Sequence, residues 1–398
     1  AQWTWNGADA GRSVSIDGDL LAIGRPEQDG VGDVRLYRNL SGAWTYEADL
    51  TPSDPEQGEA FGWAVTLDGD RVVAGAPLWD GLDEDGIGAG DNPDQGRAFV
   101  FDLNDDGSSW TRVARLTAEA GLPTVDAIGE GFAGDRFGLT VAADGDTVLV
   151  GAPGFDDTAT DAGGAYVFYE LPDAGSGKRS WSRSSGTSGS GRLGSNAPAG
   201  SDPDAPLADN FGGGLAVSGD RIVVGMPGYN DTDDSSGTVQ ILRGDLGAFR
   251  TFTTDAVIPT ATNQNFWAEV LVEDKLLGDL GKQLHYDATT RTLFYLAWSQ
   301  NEQLLQVRSY VDEGLYWRPT NFAVDLLSWG ESGFGVQVDS DGRHLAVSAA
   351  NGVQIFPYNG TQWSSTAAVT LDGADYGGGD FGASFAIDGD RLVVGAPS

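Results

Sequence analysis

The chain has 398 residues, 59 acidic against 23 basic side chains for a net charge of −36, 40% hydrophobic residues and no cysteine. That charge repels nucleic-acid phosphates and anionic lipid surfaces, and the lack of cysteine excludes a disulfide framework and thiol chemistry. No run approaches the apolar length of a membrane span, while the apolar content suffices for a large core.

The first element pair lies at Ala10-Gly11-Arg12-Ser13-Val14-Ser15-Ile16-Asp17-Gly18-Asp19, leading to Leu21-Ala22-Ile23-Gly24-Arg25-Pro26. Its clearest copy runs from Phe61-Gly62 through Val65-Thr66-Leu67-Asp68-Gly69-Asp70 to Val72-Val73-Ala74-Gly75-Ala76-Pro77. Alternation before Asp-Gly and β-branched residues after it predict two strands joined by a tight hairpin, and proline, which lacks an N–H, ends the second. Further copies start at Phe137, Phe211, a degenerate Leu280, Phe334 and Phe381, giving seven copies at steps of 47 to 76 residues. A third strand is expected after each loop, as in Gly32–Tyr37, Gly96–Phe101 and Gly164–Tyr169. A fourth follows, usually led by tryptophan: Trp44, Trp110, Trp181, Phe249–Phe252, Tyr316-Trp317 and Trp363.

Four antiparallel strands per unit at such spacing predict an all-β, seven-bladed β-propeller spanning 1–398 as one domain. Residues 173–205, mostly Gly, Ser, Pro and Asp, are expected to form a flexible insertion within the third blade. Gln2-Trp3-Thr4-Trp5 matches the fourth-strand pattern, so the N-terminus is expected to close the last blade. That blade's third strand is missing, which leaves either a longer natural chain or a strand supplied by a neighbour. The start at Ala1, without an initiator methionine or a leader, fits a processed or partial chain.

The Phe-Gly starts and Gly-Ala-Pro ends resemble FG-GAP repeats, the unit of the integrin α-subunit propeller, in the short version of bacterial secreted and surface proteins. The resemblance implies extracellular adhesion or assembly without catalysis. Integrin-type copies hold calcium between their first and second strands, whereas here that segment has shrunk to Asp68-Gly69-Asp70 and its equivalents. Two carboxylates on a two-residue turn cannot supply six or more oxygens.

Calcium is instead considered in the loops between second and third strands. Those loops carry Asp80, Asp83, Asp85 and Asp91, then Asp156, Asp157 and Asp161, then Asp231, Asp233 and Asp234. Carboxylate-rich, glycine-permissive loops can wrap a hard cation. Asp102, Asn104 and Asp106 have the spacing of a calcium loop, but Trp110 stands where a ninth-position ligand belongs, so a plain hairpin turn competes with that reading. His285 and His344 are the two histidines, neither with a nucleophile beside it in the sequence, and both are expected to be structural. The expected function is a non-catalytic binding or structural module, secreted or on the cell surface, with protein partners or self-assembly through the incomplete blade. The alternative is a carbohydrate-binding or carbohydrate-active propeller using the acidic loop face; no nucleic-acid binding or membrane insertion is expected.

Overall fold

The computed structural model describes residues 10–81, 93–118, 133–156, 161–171, 180–183, 192–193, 210–226, 238–244, 252–258, 266–267, 284–299, 304–313, 317–326, 337–349, 352–376 and 380–397. The hairpin motif folds as its chemistry dictates. In the second repeat, β-branched and alternating residues form Val65–Asp68 and Arg71–Ala76, paired antiparallel from Val65 opposite Ala74 to Asp68 opposite Arg71. Gly69, at φ 57°, supplies the left-handed turn residue.

The strands fall into seven sheets. The first holds β1 (Ser13–Asp17), β2 (Leu20–Arg25), β3 (Asp33–Leu40) and β4 (Ala43–Leu50). The second holds β5 (Val65–Asp68), β6 (Arg71–Ala76), β7 (Arg97–Leu103) and β8 (Trp110–Leu116). In the third, β9 (Thr140–Asp144), β10 (Thr147–Ala152), β11 (Gly164–Leu171) and β12 (Ser180–Arg183) are joined by β13 (Arg192–Leu193), which also pairs with β11. The fourth contains β14 (Gly214–Ser218), β15 (Arg221–Met226), β16 (Thr238–Gly244) and β17 (Phe252–Ile258). The fifth contains β18 (Phe266–Trp267), β19 (Leu284–Asp287), β20 (Thr292–Ser299), β21 (Leu304–Asp312) and β22 (Trp317–Leu326). The sixth contains β23 (Val338–Ser340), β24 (His344–Ala349), β25 (Gly352–Pro357) and β26 (Val369–Asp372). Last come β27 (Ser384–Asp388) and β28 (Arg391–Gly395), a pair by themselves.

The fold is an all-β propeller, but the expectation of seven four-stranded blades is corrected. Six sheets are complete blades of four or five strands, and the seventh repeat forms a two-stranded sheet. Gln2–Trp5, expected to close that last blade, lie outside the described residues. Two fourth strands also move. The fourth blade uses Phe252–Ile258 instead of Phe249–Phe252, and the sixth uses Val369–Asp372 instead of the segment at Trp363. Trp363 turns inward because its indole finds the Phe294 ring, at 5.3 Å and 80°, and is 7% exposed there. Within 173–205, Trp181 and Leu193 are buried on strands, so that stretch is not wholly a loose insertion.

Core residues lie between the sheets. One apolar cluster joins Leu36 and Leu50 of the first sheet to Phe61, Val72 and Phe99 of the second. Equivalent clusters follow between each successive pair, through Val353 against Phe385 of the last sheet, and Ala386 against Val14 and Tyr37 of the first. No sheet can cover both of its faces alone, so each borrows its neighbours' side chains.

Candidate functional site

The repeated residues converge on the contacts between blades. The turn aspartate of one blade accepts the glycine N–H of the next blade's turn: Asp17 from Gly69 at 2.6 Å, Asp388 from Gly18 at 2.9 Å, Asp68 from Gly145, and Asp144 from Gly219. Burial raises the Asp68 carboxyl above the ordinary carboxylate range, the Gly145 N–H opposes that rise, and Asp144 and Asp17 add to it.

The glycines that bracket each repeat serve the same contact. A Cβ on Gly24, Gly75, Gly151 or Gly395 would stand 1.9 to 2.3 Å from the carbonyl oxygen of Gly62, Gly138, Gly212 or Gly11 in the following blade. Hydroxyls support these carbonyls: Ser13 donates to Gly62 at 3.0 Å and Thr140 to Gly212 at 2.7 Å, while Ser384 donates to Gly11.

At the hairpin shoulder, Arg71 forks onto its own blade's Asp102 at 2.8 and 2.9 Å. It also reaches the third blade at Glu170 (2.6 Å) and the Gly145 carbonyl (2.8 Å), with its guanidinium 4.7 Å above the Trp181 ring. Arg391 repeats this toward the first blade through the Gly18 carbonyl, Asp19 and Trp44. The tryptophans that lead fourth strands are therefore inter-blade partners. Trp110 likewise donates to Glu47 of the previous blade at 2.7 Å.

Two cavities are formed by these elements. A central one of about 330 Å³ is lined by the inner strands β1, β5, β9, β14, β19, β23 and β27. At its rim His285 Nδ1 lies 3.2 Å from Asp339, its Nε2 lies 3.0 Å from Ser340 Oγ, and Ser340 donates to Asp287 at 2.6 Å. The order of groups is that of a nucleophile, base and acid. The serine, however, has one proton, and its short bond gives that proton to Asp287 and not to the imidazole. The other Asp339 oxygen accepts the Ile387 N–H at 2.9 Å, so the cluster ties the fifth, sixth and last sheets together. It stands where the other blades use the Asp–Gly link. The second cavity, of about 540 Å³, surrounds Arg71, Asp102 and Glu170 beneath the hairpins.

On the loop face the second blade buries an ionic network. Arg97, 1% exposed, meets Glu59 at 2.6 Å and Asp54 at 3.0 Å, and Arg115 meets Asp54 at 2.8 Å. Burial raises Glu59 against the lowering pull of Arg97. The Trp79 ring lies 4.8 Å from the Arg97 guanidinium. These pairs hold the loop between β4 and β5 against the second blade and were not legible as partners in the sequence, since 38 and 43 residues separate Arg97 from Glu59 and Asp54.

The acidic residues considered for calcium are placed as follows. Asp80 accepts the Asp94 N–H at 3.1 Å, and Asp156 accepts the Asp161 N–H at 2.7 Å. Burial and the Asp156 charge raise Asp161. Asp102 is engaged by Arg71, Asn104 pairs with Ser109 at 2.7 Å and Thr111 at 2.9 Å, and Asp106 accepts from Ser108. Those three residues thus close a β-hairpin between β7 and β8. Asp83, Asp85, Asp91, Asp157, Asp231, Asp233 and Asp234 lie outside the described residues. Among the described residues no three acidic or histidine side chains form a metal-binding group.

The FG-GAP repeat family model matches residues 44–101 and 127–168. The sequence matches none of the curated proteins compared with it. Among solved structures, a Lactobacillus plantarum protein is similar at 13% identity, covering 91% of this chain and 84% of its own, with a TM-score of 0.50. A candidate 6-phosphogluconolactonase of Bacteroides fragilis is 13% identical over 90% of this chain and 83% of its own, at a TM-score of 0.48. Saccharomyces cerevisiae Sqt1 is 9% identical over 92% and 86%, at a TM-score of 0.43. Likeness at such identity speaks to the fold alone. With its Phe-Gly and Gly-Ala-Pro residues meeting between successive sheets, the chain carries FG-GAP repeats built as blades of an all-β propeller.

Proposed function

We propose that this chain is a binding or structural propeller working outside the cell, holding a protein partner or further copies of itself, and that it performs no chemistry. One observation carries the reading: the turn aspartates, shoulder arginines, leading tryptophans and paired glycines that the repeat multiplies are engaged between blades. Repetition here builds a rigid wheel, whose loops and rim are left for recognition. The polar group at the central cavity fits this reading as a clamp, because the Ser340 hydroxyl is held by Asp287. Seven repeats support a seven-membered ring, with the two-stranded sheet seated between the sixth and first blades.

Two measurements on the purified protein test the proposal together. Sedimentation velocity over a wide concentration range, alone and with extracellular proteins, is expected to show association. A panel of p-nitrophenyl esters and glycosides is expected to show no turnover above the uncatalysed rate. Turnover that disappears in Ser340→Ala or His285→Gln would overturn the non-catalytic reading.

A further inference from the structure

The inner strands turn their edges to the central cavity, and two hydrogen bonds show which groups face it. The Leu67 N–H leaves its own blade to reach Ser15 Oγ of the first at 3.0 Å, and the Ile387 N–H reaches Asp339 of the sixth at 2.9 Å. Both residues stand one pair beyond the closing pair of their hairpin, opposite Val72 and Leu392. In an antiparallel ladder such a residue points both its N–H and its C=O away from its partner strand. Ile16 and Val217 hold the same place, opposite Leu21 and Ile222, and both line the cavity.

What differs is the side chain that would cap them. Where the preceding blade offers Ser15 to Leu67 and Asp339 to Ile387, it offers Ala386 to Ile16 and Ala142 to Val217. A methyl group accepts no hydrogen bond, and among the described residues nothing accepts from the Ile16 and Val217 amides. The charged side chains of the cavity are already used. Asp339 also takes the His285 imidazole and the Ser340 N–H, while Asp17 and Asp388 take the N–H groups of Gly69 and Gly18. The groups left for a ligand are therefore main-chain donors and acceptors side by side. Carboxylates around them repel an anion, and the N–H groups repel a cation. A neutral molecule rich in hydroxyls, each both donor and acceptor, satisfies both.

We propose that the central cavity binds a neutral monosaccharide, whose hydroxyls accept the Ile16 and Val217 N–H groups and donate to the carbonyls beside them. Its volume of about 330 Å³ lies at the small end of ligand pockets, which run from about 300 Å³, and suits one sugar ring rather than a chain. Ala142 and Ala216 offer methyl groups to the apolar ring face, while Ser15 and Thr66 offer hydroxyls to its polar edge. This site goes beyond the partner-binding reading, which places recognition on the loops and rim.

The probes are glucose, galactose and mannose, each added to the intact protein, with glycerol and sodium phosphate as controls. Residue-resolved amide hydrogen exchange reads the contact. At least one sugar is expected to slow the Ile16 and Val217 amides about fivefold or more, and to leave Leu67 and Ile387, whose N–H groups are capped by the protein, unchanged. Titration calorimetry is expected to show that sugar binding saturates, and Ala142→Ser and Ala386→Ser, which supply the cap that Ser15 supplies to Leu67, are each expected to weaken it about fivefold. Urea midpoints at or above wild type show that the serine variants fold; should either fail to fold, the wild-type exchange pattern decides. Binding by none of the three sugars, equal slowing of capped and uncapped amides, or tighter binding of phosphate overturns the proposal. So does glycerol binding as well as the sugars, or full affinity in both folded serine variants. Turnover of a bound sugar would overturn the non-catalytic reading and leave this site standing, so the two fail separately.

Discussion

Replacing Gly75 with alanine tests whether paired glycines set the distance between blades. The new Cβ would sit 1.9 Å from the Gly138 oxygen, 2.8 Å from its carbonyl carbon and 3.1 Å from its Cα. Ordinary contact needs about 3.4 Å or more, so the second and third blades must part locally by roughly 1.5 Å. Both contacting groups are backbone, and the flank is filled by Phe137, which is 0% exposed, so no side chain can rotate away. Overpacking of this kind costs about 3 kcal/mol, the upper end of the usual range. Gly69→Ala is the control: its φ is 57° but nothing lies within 4 Å, so it bears only the left-handed penalty of about 1 kcal/mol. Urea unfolding followed by tryptophan fluorescence reads the difference. With a slope of about 3 kcal/mol/M, Gly75→Ala is expected to lower the midpoint by about 1 M and Gly69→Ala by about a third of that. Gly395→Ala, whose Cβ would meet the Gly11 oxygen at 2.1 Å, is expected to match Gly75→Ala, since the last sheet packs on the first by the same contact. Equal midpoints for Gly75→Ala and Gly69→Ala would refute the spacing role.

Two further outcomes follow from the inter-blade belt. Arg71→Met is expected to destabilise by about 3–5 kcal/mol in the same assay, because Asp102, 6% exposed, loses its forked partner; Arg71→Lys is expected to recover little, since an ammonium cannot make both bonds. Recovery to wild-type stability by lysine would show that charge alone matters there. Asp68→Asn keeps an oxygen for the Gly145 N–H while removing the desolvated charge. The raised folded-state value means that the wild type loses stability as pH climbs from 3.8 through that value, and the asparagine variant is expected to lack this loss. Asp49, held low by its hydrogen bonds from Arg35, has the opposite sign: its contribution is present above 3.8 and disappears as pH falls through the lowered value. Chemical unfolding between pH 3 and 7 separates the two, and an Asp68→Asn curve parallel to wild type would contradict the assignment.

Much of the fold was legible because each repeat announces itself locally. Asp-Gly fixes a turn by its positive φ, β-branched runs fix the strands beside it, and Gly-Ala-Pro stops the ladder, as the hairpin of Val65 to Ala76 shows. The hairpin at Asp102, Asn104 and Asp106 was also foreshadowed by Trp110 in a ligand's place. The fourth strands were less legible: Trp363 carries the right residue type, yet packing on Phe294 outweighs its strand signature.

By itself the sequence determined the repeated hairpin, its count of copies and the all-β class, since these depend on backbone preferences spanning a few residues. Only the tertiary structure decided what the motif is for. Asp68 and Gly145 are 77 residues apart, and Arg71 and Glu170 are 99 apart. No local pattern encodes which carboxylate a guanidinium will meet, because that partner is chosen when two sheets bury their apolar faces against each other. The half-buried edge of β28 is likewise a property of its neighbours. The residues of Arg391–Gly395 read like any other second strand, yet they are half-buried where Arg71–Ala76 is buried throughout.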